Sequence, residues 1–207
     1  MALHHPLQVI GFHGCDREVG LRMLTGKDHL RLSDNDWDWL GLGAYFWEDD
    51  PYRALSYAIG CAQKKQKFSG EIRNPLVIGS IIELGNCLNL VEANSCEIIR
   101  KAYEFLKSQM KQNGKEMPSN RGANRALDCA VIRALHEVNK MYGFPPYDTI
   151  RSPFHQGEPL YEGANFTTGL HMQICVLNTA MIKGYFLPQP LEKFNPWLNK
   201  DFDPDMH

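Results

Sequence analysis

The sequence predicts an α+β fold, and three observations carry that reading. Short β-branched apolar runs stand near both ends of the chain and once in its middle. Between them lie segments whose apolar residues recur at helical spacing, framed by capping residues and glycines. Two of those segments, 95–113 and 123–142, follow each other across the polar linker Lys115 to Gly122, which predicts a packed helical hairpin inserted between strands. With 207 residues and 43% apolar content, the chain has the size and core of one domain. That domain is read over 1–187, with 188–207 as an irregular tail rich in proline and acidic residues.

The elements follow in order. Leu7 to His13 is a short apolar strand, interrupted by Gly14. Asp16 caps a helix to about Leu24, with Val19, Met23 and Leu24 inward and Gly26 as its stop. Residues 27–42 form a polar loop carrying Trp37 and Trp39, which either cover a ligand pocket or pin the loop to the core. Gly41-Leu42-Gly43 then enters a short aromatic strand, Ala44 to Glu48. Asp50-Pro51 starts a helix to about Lys65, whose apolar side is Ala54, Leu55, Tyr57, Ala58, Cys61 and Ala62. Lys64, Lys65 and Lys67 read as its solvated end. Pro75 to Leu84 is a central strand. The first hairpin helix turns Ile98, Ile99, Ala102, Phe105, Leu106 and Met110 inward, and Gly114 follows it. The second turns in Leu127, Ala130, Val131, Ala134, Leu135 and Val138, before Gly143 and Pro145. Strands return at 147–151, 170–177 and 181–187, and the loop 152–168 holds Gly157, Pro159 and Gly163.

Composition removes several function classes. A formal charge of −2 does not suit a globally basic nucleic-acid binder. No apolar run reaches the ~18 residues of a membrane span, and Met1 to Pro6 lack the cationic start and apolar core of a signal peptide. The six cysteines are scattered without a CxxC pair, so free thiols in a cytoplasmic protein are expected. His136-Glu137 lacks a second histidine one turn on, and His13-x-Cys15 has no partner pair at zinc spacing; no metal is expected. Gly41-x-Gly43 lacks the third glycine of a dinucleotide turn. Arg121, Arg125 and Arg133 stand near helical spacing, either to receive phosphates or as a solvated face. Arg151 has Asp148 as its nearest obvious partner.

One set of motifs is more specific. Phe12-His13-Gly14 closes the first strand, Gly43-x-Tyr45-Phe46 follows about thirty residues later, and Tyr57 lies twelve residues after Tyr45 on a capped helix. A late strand, Leu170 to Val176, carries Gln173 after a glycine-containing loop. Together these resemble the ADP-ribosyltransferase superfamily, on its diphtheria-toxin and poly(ADP-ribose)-polymerase side. The resemblance covers 9–62 and 165–187 and leaves the 94–142 hairpin unexplained. It implies a split sheet, two short twisted sheets forming a cleft with helices outside. It also implies transfer of a single ADP-ribose from NAD to a macromolecular acceptor, protein or nucleic acid. By motif, His13, Tyr45 and Gln173 take the catalytic positions, while His13, Gly14, Tyr45, Tyr57 and Arg151 hold NAD. Small stand-alone relatives are toxins or effectors, so the resemblance adds a target cytoplasm and an inhibitory antitoxin as partner.

The residue types suit that chemistry. Breaking the nicotinamide–ribose bond develops positive charge on the sugar and releases a neutral base, so the protein must grip, orient and stabilise. Aromatic faces attract a cationic ring, a residue without Cβ lets backbone approach a carboxamide, and an imidazole N–H can bind a ribose hydroxyl. Two departures stand against the pattern: Gln173 where the family places a glutamate, and Ala54 where relatives often place a serine. Glutamine keeps an acceptor and loses the charge, which disfavours chain elongation. The rival readings are an inactive NAD- or ADP-ribose-binding regulator, an RNA 2′-phosphotransferase, and an interaction domain working through the hairpin.

Overall fold

Strand β1 (Gln8–Asp16) pairs antiparallel along its whole length with β3 (Pro75–Glu83), which is buried over most of its length. This computed structural model describes residues 7–64, 71–122 and 124–204. Met1 to Pro6, Lys65, Lys67 and Ala123 lie outside the described residues, as does the side chain of Lys64. After β1 come α1 (Arg17–Leu24), β2 (Ala44–Glu48) and α2 (Pro51–Lys64). Beyond β3 lie β4 (Cys87–Asn89), α3 (Ala93–Gln112), α4 (Ala126–Tyr142), β5 (Thr149–Phe154), β6 (His171–Val176), β7 (Ile182–Phe186) and α5 (Leu191–Phe194). The chain is therefore α+β. The foreseen caps are in place: the Asp16 side chain accepts from the Glu18 N–H, and Gly143 closes α4 in the left-handed region.

The strands form one seven-stranded sheet in the order β4-β5-β6-β2-β1-β3-β7, antiparallel except for the parallel pair β4 and β5. Two separate sheets, as the resemblance implies, are thus not what forms. The joint between the halves is nevertheless thin. β1 and β2 share only the registers Gly11↔Glu48 and Phe12↔Trp47, against nine between β1 and β3. The α3–α4 hairpin also gains a topological reason. Parallel strands need a long crossover, and the hairpin is the connection from β4 to β5.

Side-chain alternation sorts the core onto two faces. One face gathers Cys15, Met23, Ala44, Phe46, Ile78, Ile82, Ile174 and Val176. The other is covered by the hairpin over Leu88, Ile150 and Cys175 and by α2 over Phe12 and Val77. Cys129 and Ile132 of α4 are buried as well, beyond the inward residues the periodicity names. All six cysteines are free thiols. No helix among the described residues is long and apolar enough to cross a membrane.

The reading of 188–207 as an irregular tail misses α5 and a firm attachment. Asn195 accepts from the Val77 N–H at 2.7 Å and donates to the Val77 carbonyl at 3.1 Å. It acts as a substitute strand where β7, whose pairing with β3 ends at Gly79, no longer reaches. Arg17 donates to the Trp197 and Lys200 carbonyls at 3.0 and 2.8 Å and meets Asp201 at 2.9 Å. Hydrogen bonds and the buried Phe194 and Trp197 dock this segment, which is too short and irregular to show a hydropathy period.

Candidate active site at the seam between β1 and β2

The β1–β2 ladder ends early, and beyond Phe12 the peptide groups of β1 that point toward β2 have no register partner there among the described residues. The Asp49 N–H donates to the Ile10 carbonyl at 3.0 Å, so even-numbered residues of β1 direct their peptide groups toward β2. Gly14 follows that direction. Its register partner on β3, Val77, gives its own peptide groups to Asn195 instead. Among the described residues no residue of β2 is in register with Gly14; the ladder stops at Phe12↔Trp47. A donor and an acceptor thus stand side by side beyond the end of the ladder.

The His13 ring occupies the place where the ladder parts. Its Nδ1 lies 2.8 Å from the Tyr45 carbonyl. A carbonyl only accepts, so Nδ1 carries the hydrogen. Burial pushes the His13 pKa below its usual value, with the bond to the Tyr45 carbonyl acting the other way. The neutral ring then presents Nε2 as an acceptor, so the imidazole N–H expected to bind a hydroxyl is already engaged by the Tyr45 carbonyl. On the other side of His13, at 5.8 Å between ring centres, is Phe46.

Gly14 also serves packing. A Cβ at this position would stand 2.2 Å from the Ala54 carbonyl, closer than any side chain allows, so glycine is what lets α2 approach β1. Ala54 itself is fully buried with Phe12 and Val77. A serine hydroxyl there would sit in the core.

Tyr45 is more constrained than its motif suggests. Its hydroxyl donates to the Gly41 carbonyl at 2.7 Å and accepts from the Leu40 N–H at 3.1 Å. Burial drives its pKa far above the ordinary phenol value. The ring packs into the hairpin-side core, and the hydroxyl pins the loop turn at Gly41, whose φ of +77° requires a glycine. Tyr57 is 41% exposed, and its ring lies 5.1 Å from Trp47. The residue that the motif did not single out, Trp47, supplies the aromatic neighbour.

Gln173 sits opposite Trp47 on β6, and Tyr45 opposite Cys175, so Tyr45, Trp47 and Gln173 share one face, whereas His13, one residue beyond the Phe12↔Trp47 pair and packed on Phe46, belongs to the other. The Gln173 Oε1 accepts from the Trp39 indole N–H at 2.6 Å. Because an indole nitrogen only donates, the amide orientation follows, and the NH2 end of Gln173 is turned from Trp39. Trp39 thus pins its loop to β6 through Gln173 and packs against the hairpin-side core.

Arg151 lies elsewhere. Register places it with Ile174 and Phe46, on the face opposite Tyr45 and Gln173. Its guanidinium makes a two-pronged pair with Glu48, at 2.7 and 3.0 Å, and touches Asn89 at 3.3 Å. The expected partner, Asp148, instead accepts from the Asn86 N–H at 2.8 Å and from Asn178 at 2.8 Å. A pair formed 103 positions apart in sequence leaves no local trace.

Sequence reading passed over Phe154 and His171 on this face, and offered Arg125 only as a phosphate receiver or a solvated residue. Phe154 packs 4.5 Å from Trp39 and 5.2 Å from His171, and the Arg125 guanidinium lies over Phe154 at 5.4 Å. Among the described residues, no group of three or more His, Cys, Asp or Glu converges on a metal position. Comparisons with family models, curated proteins and solved structures give no match for this chain.

Proposed function

We propose that the chain is an NAD-dependent ADP-ribosyltransferase that moves a single ADP-ribose onto a macromolecular acceptor. The observation that carries this reading is the early end of the β1–β2 ladder, where the peptide groups of Gly14, next to His13 with its acceptor nitrogen, have no register partner on β2 among the described residues. In this reading the carboxamide of nicotinamide bonds the Gly14 N–H and C=O. The cationic ring lies against Tyr57 and Trp47, whose faces favour it by about 0.5–2 kcal/mol. A ribose hydroxyl donates to His13 Nε2. Gln173 orients the second ribose by hydrogen bonds alone. It contributes no negative charge to the oxocarbenium-like transition state, so turnover is slow compared with a carboxylate at that position.

A second reading keeps the binding and drops the turnover. It is favoured by one observation: the Gln173 Oε1 is already engaged by Trp39. Nicotinamide release from NAD, by the wild-type protein and by His13→Ala, separates the two, with NAD binding measured in parallel. Release that requires His13 supports the transferase. Binding without release supports the regulator. Neither binding nor release sinks both.

A further inference from the structure

We propose that Arg53, Arg125 and His171 form a subsite for a ribose-phosphate unit beside Gln173, the arginines taking the phosphate and the His171 Nε2 a sugar hydroxyl. The subsite extends the NAD reading above. That reading supplies one source of the unit, the dinucleotide, and a nucleic-acid acceptor would supply another.

The argument starts from polar atoms without partners. The side-chain Nε atoms of Arg53 and Arg125 and the Nε2 of His171 are all buried without a hydrogen-bond partner. Native proteins keep few such groups, and each calls for an explanation. Arg125 and His171 lie along one connected path, which the charge of Arg53 reaches. The Arg125 guanidinium is 5.4 Å above the Phe154 ring, and Phe154 is 5.2 Å from His171. His171 in turn feels the charges of Arg53 and Asp50. Trp39 joins the path to the catalytic face, since it packs 4.5 Å from Phe154 and bonds Gln173 at 2.6 Å.

The electrostatics favour an anion. Among the described residues no carboxylate pairs with the Arg125 guanidinium, whereas its helix neighbour Arg133 is spent on Asp34 and Asp36. Arg53 has Asp50 at 3.4 Å from its Nε, without hydrogen-bond alignment, which offsets part of one charge. One positive charge on a planar, donor-rich head therefore stays uncompensated, the geometry that suits a phosphate. The hydroxyl assignment follows from the histidine. His171 Nδ1 is 2.6 Å from the Gly169 carbonyl and so holds the hydrogen. Burial keeps the ring neutral, leaving an acceptor at Nε2 that a phosphate oxygen cannot satisfy and a sugar hydroxyl can.

Calorimetric titration of the full chain with four probes tests this: ADP-ribose, nicotinamide riboside, and a short single-stranded oligoribonucleotide with and without a 5′-phosphate. Each is run against wild type, Arg125→Gln, Arg53→Gln and His171→Gln, with thermal melting to verify that each variant folds. Arg125→Lys is included to retain charge where the glutamine variant fails to fold. The expected result is a loss of tenfold or more for phosphate-bearing probes in either arginine variant, with nicotinamide riboside binding unchanged by them. A loss confined to ADP-ribose assigns the dinucleotide, and one confined to the 5′-phosphorylated strand assigns the acceptor. Equal affinities across the folded arginine variants, or no binding of any phosphate-bearing probe by wild type, overturns the subsite. Strand binding that needs Arg125 without any ADP-ribose binding would keep the subsite and remove the NAD reading. ADP-ribose binding indifferent to both arginines, with no strand binding that depends on them, would do the reverse.

Discussion

At the scale of single residues, hydrogen-bond direction decides what each group can offer. His13 spends its hydrogen on the Tyr45 carbonyl, and Gln173 spends an acceptor on Trp39. The catalytic consequence is testable at one position. Gln173→Glu retains an acceptor for Trp39 and adds a negative charge, so nicotinamide release should rise by at least about tenfold, in line with single electrostatic groups in other sites. A rate unchanged by Gln173→Glu, at unchanged NAD affinity, would show that this position does not face the reacting sugar. Trp39→Phe removes the indole donor from Gln173 and should lower stability by about 1–2 kcal/mol, read from the denaturant midpoint. That His13, Gly14 and Tyr45 stand on short strands was legible, because each strand is marked by a short local run. The roles of Trp39, Phe154 and His171 were not, since Trp39 and Gln173 meet across 134 positions.

At the scale of elements, close approach and substitute pairing hold the site in shape. Gly14 sets the distance from β1 to α2, and Tyr57 and Ala54 ride on that helix. Gly14→Ala should cost roughly 2–3 kcal/mol, at the upper end for overpacking because the obstruction is backbone. It should weaken NAD binding together with stability. Asn195→Ala tests the tail. It strands the Val77 N–H and C=O in a buried strand, and a loss of about 2–4 kcal/mol in chemical denaturation is expected from two orphaned groups. A loss within experimental error would mean that the tail is a loose appendage. The helices and central strands were readable from periodicity and caps. β4 was not, since three residues cannot display a period, and its pairing with β5 depends on the whole hairpin between them.

At the scale of the whole molecule, the sheet is one body with a weak joint. Two register pairs connect the halves, and the motif residues of β1 and β2 gather where pairing ceases. The α+β class was evident from the order of runs; the closure into one sheet was not, because register is a property of partners and not of either strand. Buried histidines add a global prediction. His13, His136 and His171 all have pKa values lowered by burial. The unfolded chain, with histidines near 6.5, therefore binds more protons than the folded one as pH falls. Stability contributed by these groups is complete well above pH ~6.5 and declines as pH drops below it. Denaturant midpoints should be lower at pH 5.5 than at pH 7.5, and His13→Gln should reduce that difference.

The most direct test of the seam as the nicotinamide site is an NMR titration of labelled protein with NAD, following the Gly14 amide and the His13 imidazole. The account predicts that both signals move together and saturate with one affinity, with the Tyr57 and Trp47 ring signals moving alongside. Saturating NAD that leaves Gly14 and His13 unmoved would contradict it.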